Sequence, residues 1–176
     1  RWIGQYMSRL YDSKINDWDQ DPEKLSQATD LITNPEIVEA KRRERRDLLA
    51  WINSHPEFLP LPEVTAADHF DEDTLTIGFA RRFVPYKRAS LVFRDIDRLR
   101  EVGYRKIQFF FAGNVYDNDP FSQELVAAID RHADQLRGQI KIALIPYYNL
   151  EVGKRLVTGC DVWLNNPLPE REASGT

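Results

Sequence analysis

Apolar residues recur with helical spacing over residues 1–54. Two stretches there, "DPEKLSQATDLI" and "NPEIVEAKRRERRDLLAWI", each open with a capping residue followed by proline. This order is typical of a helix start, so Asp21 and Asn34 are predicted N-caps. Residues 1–54 are therefore predicted to form a helical segment.

The basic run "KRRERR", from Lys41 to Arg46, admits two interpretations. It resembles a nucleic-acid or targeting patch, but apolar residues on both sides continue the helical period through it. We therefore expect a solvated helix face. Residues 55–73 contain three prolines and no helical period, and they are predicted to be a linker or an edge-covering loop.

From residue 74 onward, short apolar runs alternate with helical patterns. The strand candidates are 74–80, 107–113, 140–145 and 161–165, and the helix candidates are 86–102, 119–136 and 149–158. This alternation predicts an α/β fold with a parallel sheet and right-handed crossovers. The strands are almost continuously apolar, so both faces of the sheet are expected to be buried.

Composition narrows the function classes. The net charge of −4 gives no overall attraction to nucleic acid or anionic membrane. Cys160 is the single cysteine, so no internal disulfide can form, which fits a reducing cytoplasm. No apolar run approaches the roughly 20 residues of a membrane span, and no signal peptide opens the chain. The first residue is Arg1 and the last five are "EASGT", so we expect a piece of a longer polypeptide.

Ligands of open parallel sheets bind beyond the carboxyl ends of the strands, so the loops after the strands carry the candidate chemistry. The first loop, "ARRFVPYKRAS", concentrates Arg81, Arg82, Lys87 and Arg88 at a strand-to-helix turn. Cations placed there oppose the helix dipole unless an anion binds between them. A phosphate site is one interpretation, and surface pairing with the acids of 71–73 is the other.

The remaining loops each leave two alternatives open. Asp117 to Asp119 in "FAGNVYDNDP" indicate either a helix start or a divalent-metal site. Tyr147 and Tyr148 could stack on a sugar or a ring cofactor, or could simply pack. In "NNPLPEREASGT", Glu172 precedes small residues that could expose backbone N–H groups to an anion, or form an ordinary loop.

Three motifs occur in one order: "GFARRFVPYKRA", "PYYNLEVGKRLVTGCDVWLNNP" and "EASGT". Together they resemble the α-glucan (glycogen, starch or maltodextrin) phosphorylases, most closely the short bacterial-type branch, over residues 74–176. The resemblance implies part of the Rossmann-like C-terminal lobe of a glycosyltransferase B fold. It also implies pyridoxal 5′-phosphate as cofactor, reversible phosphorolysis of α-1,4-glucan to glucose 1-phosphate, and a cytoplasmic enzyme that is commonly a homodimer.

The resemblance assigns roles to residues of the first and third loops. Arg82 and Lys87 match the catalytic basic pair that holds the substrate phosphate. Arg81 matches a basic position close to the cofactor phosphate, and Tyr148 matches a tyrosine that lines the cofactor site. No metal is implied.

The resemblance also assigns roles at the end of the chain. Glu172 matches a carboxylate that binds a glucose hydroxyl, Ser174 and Gly175 would offer backbone N–H groups to the same sugar, and Thr176 would begin the nest around the cofactor phosphate. The cofactor lysine is expected beyond Thr176, and the amino-terminal lobe is also missing. The isolated chain is therefore expected to be inactive.

Two positions depart from the family pattern. The second loop reads Gly113-Asn114-Val115, without the usual lysine after the glycine, and Glu170-Arg171 replace a Pro-Leu pair. The missing lysine keeps open a non-catalytic sugar- or phosphate-binding homologue. A nucleotide-sugar glucan synthase of the same fold also stays open, because that group likewise places an arginine and a lysine after the first strand of this lobe.

Overall fold

The computed structural model describes residues 3–61 and 63–171. The predicted site residues Glu172, Ser174, Gly175 and Thr176 lie outside these ranges. The amino-terminal part is helical, as predicted, with α1 (Gln5–Lys14), α2 (Ala28–Leu31) and α3 (Asn34–Asn53). None of the helices in the described ranges has the length and apolar character needed to cross a bilayer.

The second part of the chain alternates between strands and helices. The strands are β1 (Leu75–Ala80), β2 (Ile107–Ala112), β3 (Lys141–Ile145) and β4 (Val162–Trp163). The helices that follow the first three strands are α4 (Ile96–Gly103), α5 (Pro120–Gln135) and α6 (Leu150–Gly159). All neighbouring strands pair in parallel, in the order β3-β2-β1-β4. The predicted α/β fold with a parallel sheet is confirmed.

The sheet is buried on both faces, as the apolar strands predict. Side chains alternate along β2: Phe110 packs with α3 and α6 on one face, while Phe109 and Phe111 pack with α4 and α5 on the other. Phe110 and Phe111 are both completely buried. The long apolar run of β2 therefore serves two separate cores, one on each side of the sheet.

The strand order reverses between β1 and β4. The chain steps from β1 to β2 to β3 in one direction, and α6 then returns to place β4 on the far side of β1. Helix α6 packs on α3, on the opposite face from α4 and α5. In doubly wound sheets, such a reversal opens a crevice at the carboxyl ends of the strands, and ligands bind there.

The predicted helix over 86–102 is only partly correct. Residues Pro85–Lys87 and Ala89–Phe93 form 3₁₀ turns, and the α-helix begins at Ile96. Arg88, between the two turns, has a φ of 52° in the left-handed region, which a continuous α-helix cannot accommodate. Asp95 then caps α4 by accepting a hydrogen bond from the Arg98 N–H at 2.9 Å. The basic first loop thus does not lie at the first turn of an α-helix, so the helix-dipole argument does not apply to it.

The two predicted N-caps differ in outcome. Asp21 is confirmed as a cap, although it starts a 3₁₀ helix, Pro22–Gln27. The prediction that Asn34 is an N-cap is wrong, because the N-cap of α3 is Thr33. The Glu36 carboxylate accepts a hydrogen bond from the Thr33 backbone N–H at 2.9 Å and completes a capping box. A threonine followed three residues later by glutamate is therefore the better indicator of this helix start than the asparagine beside the proline.

The basic run on α3 is only partly a solvated face, which corrects the prediction. Arg42, Arg43 and Arg46 are exposed as expected. Lys41 instead turns toward α6, where its ammonium donates to the carbonyls of Thr158 and Cys160, and burial lowers its pKa. The helix has 3.6 residues per turn, so six successive positions must reach both the solvent and the core side.

Glu44 lies in the same run and is buried, with 7% of its surface exposed. Its carboxylate accepts hydrogen bonds from the N–H groups of Tyr6 at 2.6 Å and Met7 at 3.3 Å, in the first turn of α1. The N-cap of α1 is Gly4, which has no side chain to cap with. A carboxylate from α3 therefore stabilises the start of α1.

Arg45 joins α3 to the amino ends of two strands. Its guanidinium pairs with the Asp161 carboxylate and donates to the Glu72 carbonyl at 2.6 Å. The other oxygen of Asp161 accepts from the Thr76 N–H of β1 at 2.9 Å. The Asp161 side chain is only 14% exposed, so the arginine compensates for a partly buried charge just before β4.

We predict that Arg45→Met lowers the free energy of unfolding by about 2–3 kcal/mol, because it leaves the Asp161 carboxylate without its charged donor. Arg43→Met is the matched control on the same helix. Its partner is the exposed Glu39, so a much smaller loss is expected. Urea unfolding of the three chains measures the difference, and equal losses would contradict the role given to Arg45.

The segment over 55–73 is packed against the sheet domain. Phe58, Leu59 and Phe70 are each at most 5% exposed and belong to the core shared by α3 and α6. Asp68 forms a two-point ion pair with Arg137, after the end of α5, with distances of 3.2 and 2.8 Å. The division into units at 1–54, 55–73 and 74–176 stays a prediction.

We predict an acid-sensitive contribution of Asp68 to stability. The guanidinium of Arg137, with the Thr65 hydrogen bonds, lowers the pKa of Asp68 from 3.8 to about 2. The unfolded chain therefore binds this proton more readily, so the contribution is fully present above pH 4 and is lost as the pH falls toward 2. The stability difference between the wild type and Asp68→Asn should shrink over that range. A difference independent of pH between 5 and 2 would exclude this ion pair as its source.

Candidate functional site

A cavity of about 250 Å³ opens at the carboxyl edge of the sheet. Its walls come from the ends of β1 and β2 and from the loops after β1, β2 and β3. The lining residues are Ala80, Arg81, Arg82, Lys87, Gly113, Asn114 and Tyr148. The structure thus brings together the four predicted site residues that it describes: Arg81, Arg82, Lys87 and Tyr148.

The first loop supplies the positive charge of the cavity. Arg81 follows β1 directly, and its backbone N–H donates to the Ala112 carbonyl at 3.2 Å, which fixes the start of the loop. Lys87 is 7% exposed, and its ammonium lies 4.9 Å from the centre of the Tyr86 ring. The Arg82 guanidinium approaches the Tyr86 hydroxyl at 3.3 Å. Tyr86 therefore lies between the two residues that were predicted to hold the substrate phosphate.

The first loop is also joined to the fourth loop. Arg88 donates to the carbonyls of Asn166 at 2.8 Å and Pro167 at 2.9 Å, and the Asn166 amide donates back to the Arg88 carbonyl at 3.3 Å. The Leu168 N–H donates to the Tyr86 carbonyl at 2.8 Å. Arg88, grouped with the phosphate cluster on spacing alone, thus has a structural role at the crevice between β1 and β4.

Surface pairing of this basic cluster with the acids of 71–73 is not favoured by the fold. These acids precede β1, whereas the cations follow it, and a six-residue strand spans about 20 Å. Asp71 pairs with Lys141 at 3.2 Å, and hydrogen bonds from Thr74 and Lys141 lower its pKa despite partial burial. The acids therefore stabilise the amino edge of the sheet, away from the cavity.

Gly113 allows the first and second loops to approach each other closely. A Cβ atom at this position would lie 2.7 Å from the Arg81 carbonyl oxygen and 3.0 Å from the Phe83 ring. Backbone atoms cannot move aside cheaply, so a side chain here would push the two loops apart. The spacing of the cavity walls depends on this glycine.

Asn114 connects the second loop to the third. Its side-chain oxygen accepts a hydrogen bond from the Tyr148 backbone N–H at 2.7 Å. Tyr148 is 36% exposed at the cavity, whereas Tyr147 packs edge-on against Phe58 at 5.9 Å. The packing interpretation therefore holds for Tyr147, and Tyr148 alone of the pair lines the cavity.

One acid of the second loop, Asp119, has an observed structural role. Asp119 is the N-cap of α5 and accepts a hydrogen bond from the Ser122 N–H at 3.3 Å, with Pro120 at the first helical position. The helix-start interpretation accounts for this residue. Among the residues that the structure describes, no three His, Cys, Asp or Glu side chains meet as a metal-binding group.

Cys160 does not contribute reactive chemistry. Its thiol is buried against Gly78 of β1, where a Cβ atom would lie only 2.7 Å from the sulfur. Burial raises the pKa of this thiol to about 12, so the thiolate is not populated near neutral pH.

Sequence reasoning did not find the residues that join the loops. Asn114 and Asn166 bond to backbone groups far along the chain, and Gly113 acts through a close approach between loops. A glycine followed by asparagine directly after a strand was the one local signal. It indicates a turn, but it does not say which distant backbone group the asparagine binds.

Comparison with known proteins finds similar sequences among the glucan phosphorylases. No protein-family model matches the chain. The chain is 42% identical to a glycogen phosphorylase of Mycobacterium tuberculosis over 113 residues, which is 62% of this chain and 13% of that protein. It is 34% identical to a glycogen phosphorylase of Aquifex aeolicus over 146 residues, covering 80% of this chain and 20% of that protein. It is also 34% identical to a maltodextrin phosphorylase of Thermococcus litoralis over 144 residues, covering 80% and 16%.

This chain is a homologue of the glucan phosphorylases. The resemblance carried by the loop motifs is thereby confirmed at the level of the family. The matches span only 13–20% of the length of these phosphorylases. The roles of the individual residues, and the assignment to the short bacterial-type branch, stay predictions.

Proposed function

We propose that this chain is part of a glucan phosphorylase that cleaves terminal α-1,4-glucosyl units with orthophosphate and releases glucose 1-phosphate. One observation carries the proposal: Arg82 and Lys87 line a single cavity at the carboxyl edge of the sheet, together with Arg81 and Tyr148. The family relationship supports the same reaction. The glucan and the phosphate would meet at this edge.

The charge of the cavity suits an oxyanion. Orthophosphate carries between one and two negative charges near neutral pH, and the cavity offers an ammonium and two guanidinium groups. Arginine binds phosphate oxygens through two parallel hydrogen bonds, and lysine acts as a compact point charge. Lys87 is almost fully buried, so its attraction for an anion is weakly screened by solvent. We assign Arg82 and Lys87 to the substrate phosphate.

Pyridoxal 5′-phosphate is the proposed cofactor. The cavity joins a basic side chain, Arg81, to an aromatic one, Tyr148, which suits a group that combines a phosphate with a ring. The cofactor would supply a second phosphate group able to exchange a proton with the first. Thr176 is the further proposed cofactor contact. A lysine able to hold the cofactor covalently is proposed to lie beyond it.

The sugar contacts are proposed at the end of the chain. Glu172 would accept a hydrogen bond from a glucose hydroxyl, and Ser174 and Gly175 would donate backbone N–H groups to the same ring. A cytoplasmic location and a homodimer of the longer protein are part of the same proposal.

We predict that the chain binds inorganic phosphate through the first loop. Titration of the ¹⁵N-labelled chain with phosphate should shift the backbone amides of residues 81–88. Arg82→Ala should weaken binding about tenfold or more, because it removes a charge-assisted hydrogen bond. Arg94→Ala is the control, since Arg94 is also exposed but lies outside the cavity. Equal weakening by both variants would mean that phosphate responds only to net charge.

We further predict that this chain alone does not release glucose 1-phosphate from maltodextrin, even with phosphate and added pyridoxal 5′-phosphate. The proposed cofactor lysine and the second half of the glucan site are not among its residues. The readout is coupled detection of glucose 1-phosphate, with an intact maltodextrin phosphorylase as the positive control. Turnover by the chain itself would show that these parts are not required.

The two alternative functions predict different behaviour in the longer protein. A nucleotide-sugar glucan synthase would be colourless and independent of phosphate, whereas a phosphorylase would absorb in the violet through its cofactor. In a phosphorylase, Arg82→Ala should impair the use of phosphate far more than the binding of glucan. A non-catalytic homologue would bind phosphate or sugar without turnover.

A further inference from the structure

Asn114 joins the second loop to the third beyond the strand ends. Its side-chain oxygen accepts from the Tyr148 N–H at 2.7 Å, and its NH₂ group approaches the Tyr116 hydroxyl at 3.4 Å. The two contacts use opposite ends of the amide, so both agree on its orientation. The shorter contact spans 34 positions of sequence and is the one that bears on the cavity.

The third loop is also supported next to Tyr148, because Tyr147 packs edge-on against Phe58 at 5.9 Å. Residues 146–149 are all exposed, and α6 begins only at Leu150. Asn149, which follows Tyr148, is engaged in capping α6 through the Val152 N–H at 2.9 Å. The neighbours of Tyr148 are thus held by the ring packing of Tyr147 and by the cap of α6, and the backbone N–H of Tyr148 itself is held by Asn114. Removal of the Asn114 side chain would release this N–H.

We propose that Asn114 is a positioning residue for anion binding, because it holds the backbone of Tyr148 so that the tyrosine forms one wall of the cavity opposite the first loop. This inference rests on the proposed function, in which the cavity binds phosphate. Asn114 itself acts through Tyr148 and is not assigned a contact with the phosphate.

The chemistry of the side chain explains why an asparagine suits this position. The bond to Tyr148 needs an acceptor, and an amide supplies one without adding charge. Lysine has three donors and no acceptor, so a lysine here could attract an anion but could not hold the Tyr148 N–H. Aspartate could hold it, but would place a negative charge at an anion site. Only the neutral acceptor gives the restraint without an electrostatic penalty.

These differences define an experiment with four chains: the wild type, Asn114→Ala, Asn114→Asp and Asn118→Ala. Asn118 is the matched control, because it is an exposed asparagine of the same loop that does not line the cavity. Hydrogen exchange of the Tyr148 amide reports the restraint, and exchange of the buried Phe110 amide reports the integrity of the fold. Titration with inorganic phosphate, at two salt concentrations, reports the function of the cavity.

In Asn114→Ala, Tyr148 exchange should accelerate about tenfold while Phe110 exchange stays unchanged, because one hydrogen bond is lost. Its phosphate Kd should rise about threefold to tenfold, with the same salt dependence as in the wild type. Asn114→Asp should restore slow Tyr148 exchange, yet bind phosphate more weakly, with the deficit shrinking at high salt because screening reduces repulsion. Asn118→Ala should match the wild type in every measurement.

Two results would overturn the inference alone: wild-type phosphate affinity in Asn114→Ala, or unchanged Tyr148 exchange in that variant. Failure of the wild type to bind phosphate is a separate outcome. It would overturn the proposed phosphate site together with the role of Asn114 in it. The wild-type titration thus distinguishes the failure of one proposal from the failure of both.

Discussion

In-register parallel pairing of β1, β2 and β3 is the constraint on which the cavity depends. Ala80 lies opposite Ala112, and Ala112 lies opposite Ile145, so the three strands end at one level. The loops that follow therefore begin side by side, and residues separated by more than 60 positions of sequence can line one cavity. A strand shifted by one residue would exchange the side chains of its two faces, so both closely packed cores would have to repack. Burial of the sheet thus fixes the geometry of its edge.

The sequence predicts the layers of this fold better than its connections. The strands and α5 follow from apolar runs and from the Asp119-Pro120 start, because these signals are local and agree with the packing. The helix predicted over 86–102 is longer than the observed α4, since apolar spacing alone does not reveal the left-handed backbone at Arg88. Likewise, the basic run on α3 gives no hint that Lys41 and Arg45 reach α6 and β4. Those partners are set by tertiary contacts more than 110 positions away.

For the candidate site, too, the sequence predicts the individual residues better than the contacts between them. Motifs within single loops identified Arg81, Arg82, Lys87 and Tyr148, and the structure brings these residues to one cavity. The contacts that hold the loops together were not predicted, because they pair one side chain with the backbone of another loop. The chemical groups of the site can thus be recognised in the sequence, whereas the contacts between the loops that carry them cannot.

The contact made by Glu44 means that the start of α1 depends on α3. Helix α1 lacks a side-chain cap of its own and receives the Glu44 carboxylate from the middle of α3. The amino end of α1 is therefore completed only after residues 38 positions further along have become helical. Because α3 is already 20 residues long and packed on α6, it can form without α1. Helix α1 thus gains this stabilisation only when α3 has formed.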